Sequence, residues 1–224
     1  MSKPVALIVG AGPGISLAFA EALVEAGYAV GMASRNLEKL RPLAASVGAI
    51  PFMADASSAD SIPRLFSSVD QSLGAPDVVL FNPSARLRGD LLSLDMTAAA
   101  DAIQTTAIGA LVTAQEAARR MLPRGRGALL FTGATAGIKG FARSSVFAMG
   151  KFALRGLAQS LARELGPQGI HVVHFVIDGG VVQSSDDSDA FTPRAIAQSY
   201  MTAIAQPRGA WSWEIELRSS VEPF

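Results

Sequence analysis

Val5-Ala6-Leu7-Ile8-Val9-Gly10-Ala11-Gly12-Pro13-Gly14-Ile15-Ser16 is the stretch that decides how this chain folds. Its first five residues are all apolar, the pattern of a strand buried on both faces rather than one with a wet side. Three glycines in the next five positions then turn the chain. From Ile15 to Ala26 the apolar residues recur at helical spacing. A turn this tight needs residues without a Cβ. The helix behind it presents unpaired N–H groups and the positive end of its dipole, which together favour a pyrophosphate. Read as GxGxxG the loop fails at Ile15. Read as GxxxGxG it matches at Gly10 and Gly14, with Ser16 in the last place. The unit predicts dinucleotide binding, with Gly10, Gly12, Gly14 and Ile15 around the phosphates.

The same alternation continues outward. Apolar runs at Val5–Val9, Tyr28–Ala33, Ala49–Met53, Asp77–Phe81, Gly127–Thr132, Ile170–Ile177 and Trp213–Leu217 read as strands. Between them, helical spacing covers Ile15–Ala26, Leu37–Val47, Ser58–Leu73, Thr97–Met121, Ser144–Leu165 and Pro193–Ala205. Gly27 reads as a helix C-terminus, and Gly166-Pro167 as the stop of the fifth helix. Asn36, Ser58 and Thr192 read as N-caps, the last followed by Pro193 at the first helical position. Strands and helices in strict alternation predict an α/β fold: a three-layer, Rossmann-type, doubly wound parallel sheet of about seven strands. No repeat or linker divides residues 1–224, so one dinucleotide-binding domain is expected.

Composition narrows the function classes. Half of the 224 residues are hydrophobic and 17% are charged, with a mean hydropathy of +0.33, as suits a sheet covered on both faces. Nineteen basic residues balance nineteen acidic ones, so no net field draws nucleic acid or anionic lipid to the chain. The absence of cysteine excludes disulfides and zinc–thiolate sites. The first apolar run is too short for a signal-peptide core or a membrane span. A cytoplasmic protein that engages neither membrane nor nucleic acid is expected.

The second strand ends Met32-Ala33-Ser34-Arg35-Asn36. A carboxylate there would bond a ribose 2′-hydroxyl. Ser34 beside the Arg35 guanidinium instead suits a 2′-phosphate, which predicts NADP(H) in preference to NAD(H). Arg35 also fits the plainer reading of a solvated residue at a helix start. Asp55, after the third strand, is placed either to accept from an adenine amino group or to cap its own loop.

Further segments, in order, resemble the short-chain dehydrogenase/reductase family. Asp77-Val78-Val79-Leu80-Phe81-Asn82-Pro83-Ser84 resembles its strand-four segment ending Asn-Asn-Ala-Gly, with only Asn82 matching. Gly127–Ala134 resembles the strand that ends in the catalytic serine. Phe147-Ala148-Met149-Gly150-Lys151 resembles the Tyr-x-x-x-Lys motif, and Ile177-Asp178-Gly179-Gly180-Val181 the Pro-Gly turn after strand six. The resemblance implies that Lys151 grips the ribose hydroxyls and that Asn82, Gly179 and Val181 border the cofactor. It also implies a divergent member. The tyrosine position holds Phe147, the serine position Ala134, and the relay asparagine falls on or near Thr106, which Gly109 helps to align.

Phenyl and methyl groups neither donate nor accept hydrogen bonds. A positioned general acid contributes about 10²–10⁴ in rate, so ordinary ketone reduction is expected to be strongly suppressed. Two readings stay open. One is an NADP(H)-dependent oxidoreductase acting on a small-molecule substrate that does not need the tyrosine, such as an imine, an iminium or a polarised alkene. Asp178, Thr132, Thr135 and Ser145 are then candidate proton sources. The other is a catalytically inactive NADP(H)-binding module with a regulatory or assembly role.

Other features carry less. His171 and His174 read as packed strand residues, and no metal-ligand spacing is present. The acidic loop with Asp186, Asp187 and Asp189 reads as solvated chain over the substrate cleft. Arg119, Arg120, Arg124 and Arg126 suit a helix C-terminal end. Trp211 and Trp213 are expected on one face at the start of the last strand. Small residues on the helices 97–121 and 144–165 either pack on the sheet or, as the resemblance implies, form the interface of a homodimer or homotetramer.

Overall fold

The computed structural model describes residues 3–182 and 191–220. One seven-stranded sheet carries the chain in the order β3-β2-β1-β4-β5-β6-β7, every neighbouring pair parallel. The strands are β1 (Val5–Val9), β2 (Ala29–Ser34), β3 (Ile50–Met53), β4 (Val78–Phe81), β5 (Gly127–Thr132), β6 (Ile170–Asp178) and β7 (Glu214–Arg218). The helices are α1 (Ile15–Glu25), α2 (Leu37–Ser46), α3 (Ser61–Ser72), α4 (Met96–Ile103), α5 (Gly109–Met121), α6 (Ser145–Leu165) and α7 (Pro193–Ile204). The doubly wound sheet of the sequence reading is therefore present. The order reverses at β1, whose neighbours are β2 and β4, and the carboxyl ends of these strands open the crevice where ligands bind in such sheets.

Strand alternation splits the core in two. Val5, Leu7 and Val9 point into a cluster with Phe66, Ala114 and Leu154 from α3, α5 and α6. Ala6 and Ile8 point the other way, into a cluster with Phe19, Leu40 and Tyr200 from α1, α2 and α7. All five β1 residues are buried, which is why the run had to be apolar throughout.

Helix ends follow local chemistry. Asn36 Oδ1 accepts from Lys39 N–H and Thr192 Oγ1 from Ala195 N–H, so both act as N-caps. Gly27, at φ +88°, closes α1 in a Schellman turn, with Tyr28 N–H bonded to Leu23 O and Gly27 N–H to Val24 O. Ser58 is not a cap. α3 starts later, at Ser61, whose hydroxyl accepts from Asp55 N–H instead. The expected continuous helix 97–121 is interrupted by a π-turn at Gln104–Ile108. β7 begins after Trp213, so strand alternation does not set the two tryptophans. Trp211 stacks on His171 at 4.6 Å and Trp213 lies under Arg155. The basic residues at the end of α5 are tied down within the chain. Arg120 pairs with Asp70 and Glu116, and Arg124 with Asp77. The acidic loop 184–189 lies outside the described residues.

Candidate functional site

The crevice begins at the glycine loop. Gly10 sits at φ +80°, and a Cβ there would lie 2.6 Å from Pro83 N; both the dihedral and the space demand glycine. Its N–H and that of Ala11 bond Ala33 O at 2.9 and 2.8 Å. From the other side, Asn82 Nδ2 donates to Gly10 O at 3.0 Å. Ser16, 1% exposed, accepts from Gly12 N–H and donates back to Gly12 O. A third glycine is therefore unnecessary at that place, since a small hydroxyl staples the loop to the start of α1. A Cβ built on Gly12 meets nothing within 4 Å, so this glycine faces open space above the loop. Gly14 forms the N-terminal boundary of α1, with Ile15 its first residue.

A cavity of about 480 Å³ runs from this loop across the end of β2, lined among others by Gly10, Gly12, Ser34, Arg35, Lys39, Asp55 and Asn82. Ser34 Oγ donates to Asn36 O, which shapes the β2–α2 turn and leaves the Arg35 and Lys39 cations on one wall. Asp55 Oδ1 accepts from both the N–H and the hydroxyl of Ser57, so the loop-capping role of Asp55 is real, and it also lines the cavity. Partial burial works to raise its pKa, but the Ser57 hydrogen bonds and the Arg35 charge outweigh that and hold the carboxyl below its usual range. A side-chain-free loop leading to the N-terminal end of α1, flanked by two cations, fits a phosphorylated dinucleotide.

The next cavity, about 610 Å³, shares Asn82 and Ser84 with the first and continues past Ile15, Thr132, Ala134, Phe147, Lys151, Gly179 and Val181. Lys151 is 2% exposed and its Nζ donates to Thr132 O at 2.7 Å. Burial lowers its pKa to about 7, with the Arg86 charge as a second cause. Phe147 and Ala134 bring only carbon to this wall, and the Arg86 guanidinium lies 4.8 Å from the Phe147 ring centre. Thr106 is buried in the π-turn, lines none of these cavities, and accepts from Ala85 N–H at 3.2 Å. It thereby fixes the loop after β4. A Cβ on Gly150 would stand 3.2 Å from Thr106, so α6 packs closely on that turn.

Asp178 stands at the end of β6, outside the cavity linings. Its Oδ1 accepts from the Thr135 hydroxyl and its Oδ2 pairs with Arg218, its register partner on β7. Beneath the same floor, Arg155 grips Glu214 through two bonds of 2.7 Å, and Glu214 bonds His174 Nδ1 at 3.0 Å. Burial drives His174 to about 4, so it is neutral near pH 7 and donates through Nδ1 to the ionised carboxylate. Its Nε2 has no hydrogen-bond partner among the described residues and abuts Gly133, where a Cβ would come within 2.3 Å. The Arg155–Glu214 pair ties α6 to β7, and Arg155 follows Lys151 by one helical turn on the same face.

The model of the short chain dehydrogenase family matches residues 4–190. The chain belongs to this family of oxidoreductases. It is 27% identical over 228 residues to an uncharacterised oxidoreductase of Staphylococcus aureus, covering 97% of this chain and 98% of that protein. The crystal structure of a short-chain dehydrogenase from Rhodopseudomonas palustris is 32% identical, with a TM-score of 0.85, covering 96% of this chain and 98% of that one. An alcohol dehydrogenase from Thermococcus sibiricus, solved with 5-hydroxy-NADP, shares the fold at a TM-score of 0.88 and 22% identity over 99% of both chains.

The structure of this short-chain dehydrogenase gathers the sequence-predicted residues unevenly. Gly10, Gly12, Ser34, Arg35, Asp55 and Asn82 meet around one cavity, while Ile15, Ala134, Phe147, Lys151, Gly179 and Val181 meet around the next. Asp178 and Thr106 stand behind the wall. Sequence reasoning missed Lys39, whose only signal was a cation one helical turn after Arg35, and the arginines 86, 88 and 143. A third cavity, about 650 Å³, adjoins the second and is lined by those three arginines with Ala134, Thr135, Phe141 and Phe147. Among the described residues no group of three His, Asp or Glu side chains could hold a metal ion, and no helix is long and apolar enough to cross a membrane.

Proposed function

We propose that the chain is an NADP(H)-dependent oxidoreductase whose active site is a divergent form of the family's. The carrying observation is the contrast along one crevice. The glycine loop, Asn82, Arg35, Lys39 and Lys151 form a complete dinucleotide seat, whereas Phe147 and Ala134 present only carbon at its far end. Phe147, four residues before Lys151, takes the place of the family's tyrosine, and Ala134, after β5, takes the place of its serine. 5-Hydroxy-NADP, solved with the Thermococcus sibiricus structural neighbour of the same fold, supports the cofactor class. The Arg35 and Lys39 pair supports the 2′-phosphate form.

In this reading the glycine loop lets the pyrophosphate approach the N-terminal end of α1 at Gly14 and Ile15, Arg35 and Lys39 hold the 2′-phosphate, and Lys151 holds the ribose. A bound dinucleotide of this class supplies or accepts a hydride. The chain's own contribution beside it is a dry wall of Phe147 and Ala134, and one group, Lys151 Nζ, able to hold or release a proton near neutrality. Asp178 anchors Thr135 to Arg218 rather than serving as the acid. A substrate that spreads the arriving charge beyond a single carbonyl oxygen, such as a polarised alkene that takes its proton at carbon, suits that wall.

Calorimetric titration tests the seat: NADPH is expected to bind more tightly than NADH, and equal affinities would sink the 2′-phosphate assignment. Following NADPH absorbance with paired ketones and activated alkenes tests the chemistry. Binding without consumption across that panel would favour the silent module instead. The outward residues Met149, Phe152, Ala153 and Gly156 of α6 are exposed, and we propose that they join copies of the chain into a dimer or tetramer. Light scattering that reports a monomer at micromolar concentration would refute this.

A further inference from the structure

The third cavity holds an unusual concentration of positive charge for a chain with no net charge. Arg86, Arg88 and Arg143 come from two separate loops, and Gly89 N–H bonded to Arg143 O at 3.1 Å clamps those loops together. Arg143 is held at φ +60°, a conformation rare for a residue with a side chain. Thr106 secures the first loop from below through Ala85 N–H. Only Arg143 has a carboxylate partner among the described residues, the exposed Asp90 at 3.2 Å, and an exposed pair of this kind contributes little. Arg86 lies over Phe147 and lines both the second and the third cavity. It therefore stands at the junction between Lys151 and the open mouth.

We propose that Arg86, Arg88 and Arg143 form the recognition site for an oxyanion group of the substrate, so that the enzyme acts on a small organic acid or phosphate ester. This rests on the proposed function, because it takes the adjoining cavity to be the cofactor's. Guanidinium groups bind carboxylate and phosphate through paired, charge-assisted hydrogen bonds. The same three charges oppose a cationic acceptor, which removes the iminium from the substrates that Phe147 and Ala134 would allow. An anion bound here also neutralises the Arg86 charge that helps hold Lys151 low, so substrate entry and the proton affinity of Lys151 are coupled. The ring face of Phe147 gains a role in this reading as the platform under Arg86.

The test is calorimetric titration of benzoate, succinate and inorganic phosphate into the protein with and without NADP⁺. Benzamide and succinamide serve as neutral counterparts. At least one anion is expected to bind, about tenfold or more tightly than its neutral counterpart where it has one, and more weakly as salt rises. The double variant Arg86→Gln with Arg88→Gln should lose that binding, and Arg88→Lys should keep part of it. Absence of anion binding to the wild type, equal binding of the amides, or an unaltered double variant would each overturn the proposal. Titrating NADPH into the same samples separates the two readings. Failure there strikes the cofactor assignment, whereas firm NADPH binding without anion preference strikes the arginine site alone.

Discussion

The two ends of the crevice are built by different means. At the end proposed for the adenosine, the lining comes from backbone and from residues close in sequence: a glycine loop stapled by Ser16, a β2–α2 turn carrying Ser34, Arg35 and Lys39, and the Asp55 loop. At the opposite end the wall is assembled from β5, α6, the loop after β4 and the turn after β6, which are far apart in sequence. The first end tolerates little change because its shape rests on backbone geometry, as at Gly10. At the second, side chains on a fixed frame line the cavities, so Phe147, Ala134 and three arginines can vary without disturbing the glycine loop.

Four changes would break or sharpen that comparison. The largest effect is expected from Phe147→Tyr combined with Ala134→Ser, which restores a hydroxyl acid and a polarising donor. Reduction of simple ketones should rise by about 10²-fold or more over wild type, measured by NADPH consumption. If the double variant binds NADPH yet stays at the wild-type rate, the far wall differs by more than those two side chains. Next comes Gly10→Val, which forces a Cβ against Pro83 and a disfavoured dihedral. It should weaken NADPH and NADH alike by about 5- to 150-fold, given strain of about 1–3 kcal/mol in the loop. A loss confined to NADPH would place the pyrophosphate elsewhere.

Arg35→Ala is a finer cut at the same end. NADPH affinity should fall about tenfold or more, through loss of a charge-assisted bond, while NADH affinity stays level. Parallel losses for both would show that Arg35 supports the turn rather than the 2′-phosphate. The smallest effect concerns Lys151 and is read on the ligand-free protein. Its folded pKa of about 7 lies below the ordinary 10.5, so between those values the unfolded chain binds the extra proton. Stability therefore rises with pH across that window, and the full cost of burying the charge is present below about pH 7. Lys151→Met should raise stability at pH 6 by about 1–2 kcal/mol in a denaturant titration, flatten the rise towards pH 10, and weaken cofactor binding. A variant less stable than wild type at pH 6 would mean that the bond to Thr132 O outweighs the burial cost.

Much of the adenosine end was legible because its signals are local. Gly10 announces a positive dihedral, Arg35 stands where a carboxylate would otherwise be, and Asn36 caps the helix that follows it. Even there, Ser58 read as the cap of α3, whereas the helix starts at Ser61, whose hydroxyl accepts from Asp55 N–H, a partner set by the loop and not by local spacing. The π-turn at Gln104–Ile108 left no trace in apolar spacing. Gly109 hints at it only through what it touches, because a Cβ there would meet Ala56 O at 2.3 Å. Asp178 illustrates the same limit: its engagement by Thr135 and Arg218 depends on the register of β6 with β7.

By itself, the sequence determined a parallel sheet buried on both faces, a glycine loop after its first strand, and a lysine four residues beyond a phenylalanine. Those follow from apolar runs, glycine dihedrals and helical spacing, all properties of short segments. Tertiary structure alone decided that His174 shares Glu214 with Arg155, and that Arg86, Arg88 and Arg143 converge beside Phe147. Side chains from distant segments meet only when strand order and loop clamps bring them together, and a charge acquires its role from the neighbours it finds there.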